Sequence, residues 1–184
     1  MLLMDIELEN ARSLRLLFEK RDSRSLRGLG GNLAREALVR SNRLLTDLSI
    51  LSFSLSKLCE KNYIVNSRHW PAASSKVVEH LRAAESLFEE GKEDAARERV
   101  HDALGAVDAL SVKTGRFVAS VVEKARIKAA AQMYAHGASL GSVASFTGAS
   151  KADLADYVGH SRIPDKYSAM PVEQRLKAAR DALS

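Results

Sequence analysis

The chain is poor in the residues that break or staple a fold. Its 184 residues include three prolines, ten glycines and one cysteine, and only 5% are aromatic. A single cysteine, Cys59, excludes an internal disulfide and any zinc site built from several thiolates. With few Pro and Gly and with Ala, Leu, Glu, Arg and Lys recurring throughout, helices have little reason to stop. Period-two alternation of Val, Ile and Thr is nearly absent, and Tyr63-Ile64-Val65 is too short for a strand. The predicted fold class is all-α.

A long apolar run is also missing. The longest uncharged stretch, Ala129 to Ser150, contains three glycines, a Gln, a His and several serines, which makes it a poor membrane span. Met1-Leu2-Leu3-Met4 carries no basic leader and runs into Asp5, Glu7 and Glu9, so a cytoplasmic protein is expected. Gly28 to Gly31 has neither the preceding strand nor the Lys-Ser/Thr ending of a phosphate loop. The five histidines, His69, His80, His101, His136 and His160, fall at no metal-ligand spacing. Neither metal, cofactor nor enzymatic activity is expected. Arg97 and His101 lie one helical turn apart, as an RNA-cleaving pair would, but such pairs mostly decorate solvated faces.

The helical pattern can be traced along the chain. A first helix is expected at about Glu7 to Lys20, with Leu14, Leu17 and Phe18 on one face and a stop at Arg21-Asp22-Ser23. Gly28, Gly30 and Gly31 should weaken the helix around them. Leu44, Leu48, Leu51, Leu55 and Leu58, three or four apart, predict a long helix from about Asn32 to Glu60 and place Cys59 as a buried, inert thiol. Lys61 to Pro71 reads as a connector in which Trp70 anchors the core. Helices at about Ala72 to Glu90 and Glu93 to Leu110, separated by Gly91, make an antiparallel hairpin. A last long helix, about Lys113 to His136, leads on without a flexible linker. The division expected is a helical-bundle body over 5–122, a module over 123–163 and a tail over 164–184, with a short amphipathic helix through Val172, Leu176 and Ala179.

The module has the clearest local signals. Gly137 can take the left-handed conformation that ends a helix, and Ser139 can cap the next one. Ala144 leaves room for a crossing helix, and Gly148 permits a tight turn. Ser150 can cap a third helix, with Asp153 completing a variant of the capping box. Val143, Leu154 and Tyr157 supply the buried side. These features predict a helix-turn-helix in which Lys151, Ala152 and Ala155 face base edges, with Ser139, Ser150, Lys124, Lys128 and Arg162 near the phosphate backbone.

Charge is unevenly distributed. Residues 20–43 carry a net of +5, residues 62–110 a net of −3, and residues 111–136 a net of +4. Lys124, Arg126 and Lys128, in the last block, are positioned to reach phosphates or to form a solvated helix face. Residues 137–163 balance Lys151 and Arg162 against Asp153 and Asp156. A neutral reading helix needs dimerisation to gain affinity, so a homodimer is expected.

The pattern Ala131-x-x-Tyr134-x-x-Gly137-x-Ser139-Leu140-Gly141-x-Val143-Ala144-x-x-Thr147-Gly148-x-Ser150-x-x-Asp153-Leu154 resembles small prokaryotic helix-turn-helix antitoxins of PIN-domain ribonucleases. The resemblance spans about a fifth of the chain and implies DNA binding, autoregulation and a possible PIN-domain nuclease partner. Ala11-Arg12-Ser13-Leu14, Arg24-Ser25-Leu26 and Leu55 to Lys61 resemble archaeal helical proteins, which implies no activity. Glu79 to Gly105 is similar to the paired helices of HEPN-type proteins. The spacing between Arg97 and His101 is one residue short of the nuclease motif in that family, so this likeness implies shape and not cleavage. The leading expectation is a non-enzymatic DNA-binding regulator. The alternative is a helical adaptor that binds protein, or RNA through residues 20–43.

Overall fold

The computed structural model describes residues 2–113 and 120–161, and among these residues the chain forms nine α-helices and no strand. They run α1 (Leu2–Glu19), α2 (Ser23–Arg40), α3 (Arg43–Cys59), α4 (Asn62–Val65), α5 (Trp70–Glu89), α6 (Glu93–Lys113), α7 (Val121–Ala135), α8 (Leu140–Thr147) and α9 (Lys151–His160). The all-α helical bundle expected from composition is therefore present. No described helix is long and apolar enough to cross a membrane. Arg162 and the expected amphipathic tail helix lie outside the described residues.

Side-chain caps set most of the breaks between helices. Asp22 accepts from the Ser25 N–H at 3.0 Å to open α2, and Asn42 accepts from the Leu45 N–H at 3.0 Å to open α3. The second break corrects the expected single helix from Asn32 to Glu60. Ser41 adopts φ 51°, and its N–H turns back to carbonyls of the last turn of α2. A left-handed stop followed by an Asn cap divides the helix with neither Gly nor Pro, and the leucines from Leu44 to Leu58 all fall in α3. The expected helix from Lys113 to His136 is corrected as well. Lys113 ends α6, and Ser120, with ψ 137° and its hydroxyl accepting from the Val122 and Glu123 N–H groups, starts α7.

The helix α2 runs unbroken through Gly28, Gly30 and Gly31 and is held against α3. A Cβ on Gly30 would stand 3.0 Å from the Phe53 ring, tighter than most side-chain contacts, so the ring would have to give by a few tenths of an ångström. Three α3 hydroxyls then donate to α2 carbonyls: Ser49 to Gly30, Ser52 to Leu26 and Ser56 to Ser23, each at 2.7 Å. Spaced three and four apart, these serines share one face of α3, and their buried bonds add about 1 kcal/mol each.

The α5–α6 hairpin turns at Gly91, φ 77°, and packs α5 on α1 and α6 on α3. Val77, Leu81, Ala84, Phe88, Ala96, Val100, Leu104 and Val107 are all buried, as their spacing predicted. Trp70 is buried with its ring edge-on to Phe18 at 5.8 Å, an anchor for the start of α5. Arg15 on α1 reaches the Glu85 carboxylate on α5 at 2.6 Å.

Over this body lies α7, packed chiefly on α3 and also on α2. Its buried face is made of Ala125, Ala129, Ala130 and Ala131 with Val121, Val122 and Met133. The small alanines let the backbones approach closely, and this brings the cations of α7 next to those of α2 and α3.

Candidate functional site

The chain leaves α7 at His136 and turns at Gly137, φ 98°. Ser139 caps α8 by accepting from the Ser142 N–H at 3.1 Å. Gly148 ends α8 at φ 70°, and Ser150 caps α9 by accepting from the Asp153 N–H at 3.3 Å. All four residues have the local roles their chemistry suggested. In the anticipated capping box, the return bond from the Asp153 carboxylate is not made. Val143, Ala144 and Leu154 are buried, and Tyr157 is half-buried.

Arg126, on α7, holds the turn between α8 and α9. Its Nη1 donates to the Thr147 carbonyl at 2.9 Å, and a Cβ on Gly148 would stand 2.5 Å from the same nitrogen. The positive φ favours glycine here, and any Cβ would push the guanidinium aside. Thr147 completes the turn, donating to the Val143 carbonyl at 2.8 Å and accepting from the Ala149 N–H at 3.3 Å. Sequence reasoning placed Arg126 among phosphate-reaching cations. Its structural partner is a carbonyl 21 residues away in the chain.

Lys151, Ala152 and Ala155 are exposed on α9, beside exposed Asp153 and Asp156. The hydroxyls of Ser139 and Ser150 are engaged as caps. Lys124 is exposed, whereas Lys128 is partly withdrawn, with Nζ 4.7 Å from the centre of the Phe53 ring.

Lys124 and Lys128 line a groove of about 600 Å³ between α3 and α7. Arg27 from α2, Lys57 from the last turn of α3 and Lys61 just after it line it too, and Tyr157 of α9 closes one side. Five cations thus face one lining carboxylate, Glu60, which pairs with Arg27 and with Lys57 at 3.3 Å. Among the described residues no carboxylate pairs with Lys61, Lys124 or Lys128. The electrostatic cost is visible in two lysines. Burial, followed by Arg27 and Lys57, brings Lys128 down to about 8. Burial, followed by Lys61, Arg27 and Lys124, also lowers Lys57. Desolvation raises the Tyr157 phenol, so the wall it forms is partly sheltered from water.

On the other side of α7 a cleft of about 470 Å³ contains Arg97 and His101. The two converge on Asp47 of α3, Arg97 Nε at 3.2 Å and His101 Nε2 at 3.0 Å. Asp47 is the residue that sequence reasoning missed, because it lies 50 residues away from Arg97. Arg126 approaches Glu123 at 3.8 Å here, and Ser120 donates to Asp108. No group of three or more His, Cys, Asp or Glu among the described residues could hold a metal ion. Cys59, half-buried at the end of α3, has its thiol pushed up to about 11 by burial, which suppresses the nucleophilic thiolate.

Comparison of the chain with protein-family models, with curated proteins and with solved structures finds no match.

Proposed function

We propose that α7 to α9 form a helix-turn-helix module and that the protein is a non-enzymatic DNA-binding regulator. One observation carries this reading: a helix with a side-chain cap and an exposed outer face, α9, lies alongside the concentrated positive charge of the groove at Tyr157. Exposed Lys151, Ala152 and Ala155 are of a size and chemistry suited to a guanine edge and thymine methyl groups. Exposed Lys124 supplies a phosphate contact, and Lys128, Lys57 and Lys61 add attraction at longer range. The amide groups opening α8 and α9 offer further donors to phosphate. Antitoxin-like autoregulation as a homodimer, with a PIN-domain nuclease as protein partner, extends the proposal along the resemblance of residues 131–163.

The acidic pair Asp153 and Asp156 beside Lys151 favours a second reading, an adaptor whose α9 binds protein. The test is binding to duplex DNA from around the protein's own gene and to random duplex of equal length, at about 50 and 200 mM salt. DNA reading predicts a preference that survives the higher salt. Lys151→Ala should reduce that preference about tenfold, whereas Lys124→Ala should weaken both duplexes alike and flatten the salt dependence. Equal weakening of both duplexes by Lys151→Ala removes α9 as the reading helix. Absence of preference moves the weight to the adaptor.

A further inference from the structure

The groove between α3 and α7 has features that backbone contact with a duplex does not require. An exposed strip of lysines is enough to hold phosphates along DNA. Here the cations come from three helices and the segment after α3, and they surround a concave space with an apolar floor of Phe53, Val121, Ala125 and Ile127. Its volume, about 600 Å³, lies in the range of sites for small organic ligands. Lys128 sits at the floor, above Phe53, where a rigid duplex backbone does not reach as readily as a small anion.

We propose that this groove binds a small polyphosphate anion carried on a planar apolar body, the chemistry of a nucleoside di- or triphosphate. Lys57, Lys61, Lys124 and Lys128 receive the phosphates, and Tyr157 with Ile127 receives the nucleoside. Glu60 is already shared between Arg27 and Lys57, so the charge left over on the other three lysines is what the ligand neutralises. The groups facing Lys128 are Arg27 from α2, Lys57 from α3, Glu60 and Lys61 from the segment after it, Lys124 from α7 and Tyr157 from α9. All but Glu60 and Tyr157 are cationic. An arriving polyanion therefore restores the Lys128 proton that burial and its neighbours disfavour, and binding near pH 8 takes up protons.

The test is titration calorimetry of the full chain with inorganic pyrophosphate and with ATP, free of divalent cation, at about 50 mM salt. Runs at pH 7 and pH 8.5 use two buffers of different ionisation heat. The expected result is saturable one-to-one binding of both probes, with ATP several-fold tighter than pyrophosphate because its body covers apolar wall. Lys128→Gln and Lys124→Gln should each weaken ATP about tenfold. Proton uptake at pH 8.5 should be present in the natural chain and absent in Lys128→Gln. Thermal melting checks the variants, and relief of like-charge repulsion should leave them at least as stable as the natural chain.

No heat with either probe up to millimolar concentration overturns the proposal. So does binding that both variants retain in full, because the lysines are then not the site. ATP no tighter than pyrophosphate overturns the nucleoside part. The duplex experiment is scored separately. ATP binding without duplex preference supports the groove and removes the DNA reading, whereas duplex preference without ATP binding removes the groove.

Discussion

Two clefts share α7, and their charge balance differs. In the cleft that contains Arg97 and His101, cations meet carboxylates: Asp47 takes both side chains, and Glu123 stands near Arg126. In the groove on the other side, five cations face Glu60 alone. The first cleft uses its charges to tie α3 to α6 and to hold the turn after α8. The second leaves like charges together, and this imbalance is what the proposed anion would neutralise. Arg97 and His101, one turn apart, have the look of a chemical pair, but Asp47 engages both, whereas the cations of the second cleft outnumber its one carboxylate.

The largest effect is expected where the compensated cleft holds the turn. Gly148→Ala places a Cβ against Arg126 and forces a left-handed conformation on an L-residue, at a cost of about 2–3 kcal/mol in urea unfolding. A loss under about 0.5 kcal/mol would show that the turn accepts both the added Cβ and the positive φ with the guanidinium moved aside.

Next comes the charge held in the groove. Because Lys128 titrates near 8 when folded and near 10.5 otherwise, the folded protein gives up this proton first. Its charge therefore costs stability in full below about pH 8, and the cost fades between pH 8 and 10.5. Lys128→Met should stabilise the protein at pH 7 by about 1–2 kcal/mol after allowance for solvent screening, and should flatten the rise in Tm above pH 8. Destabilisation at pH 7 would mean that contact with the Phe53 ring outweighs the repulsion.

Asp47→Ala should make the first cleft resemble the second. Arg97 and His101 lose their shared acceptor, stability falls by about 1 kcal/mol, and a second, weaker pyrophosphate site should become measurable by calorimetry. Binding stoichiometry that stays at one would show that an uncompensated cation pair does not by itself make a site.

The smallest effect belongs to Glu60→Gln. Removing the one lining carboxylate should cost under about 1 kcal/mol, as partly exposed pairs do, and tighten pyrophosphate binding a few-fold. Weaker binding would assign Glu60 a positioning role for Arg27 and Lys57.

Legibility in the sequence depended on the range of each interaction. Ser139, Gly148 and Ser150 were legible because a cap acts over three residues and a positive φ on one. The inward faces of α5 and α6 were legible because burial repeats with the helical period. Ser41 and Asn42 were not, since the break is made by side-chain and backbone bonds with neither Gly nor Pro to mark it. Ser49, Ser52 and Ser56 read as polar interruptions of an apolar helix until α2 supplied their acceptors. Arg126 and Lys128 read as free cations on a basic helix, and contacts with Thr147 and Phe53 changed that.

The sequence by itself determined the helical class, most helix ends and the identity of the exposed residues on α9, all of which depend on neighbours within about one turn. Only the tertiary structure decided that Arg27, Lys57, Lys61, Lys124 and Lys128 share one groove and that Asp47 unites Arg97 with His101. Up to about a hundred residues separate those partners. The five cations meet because the alanine face of α7 approaches α2 and α3 closely, and Asp47 meets Arg97 and His101 where α6 packs on α3, packing outcomes that no local pattern encodes.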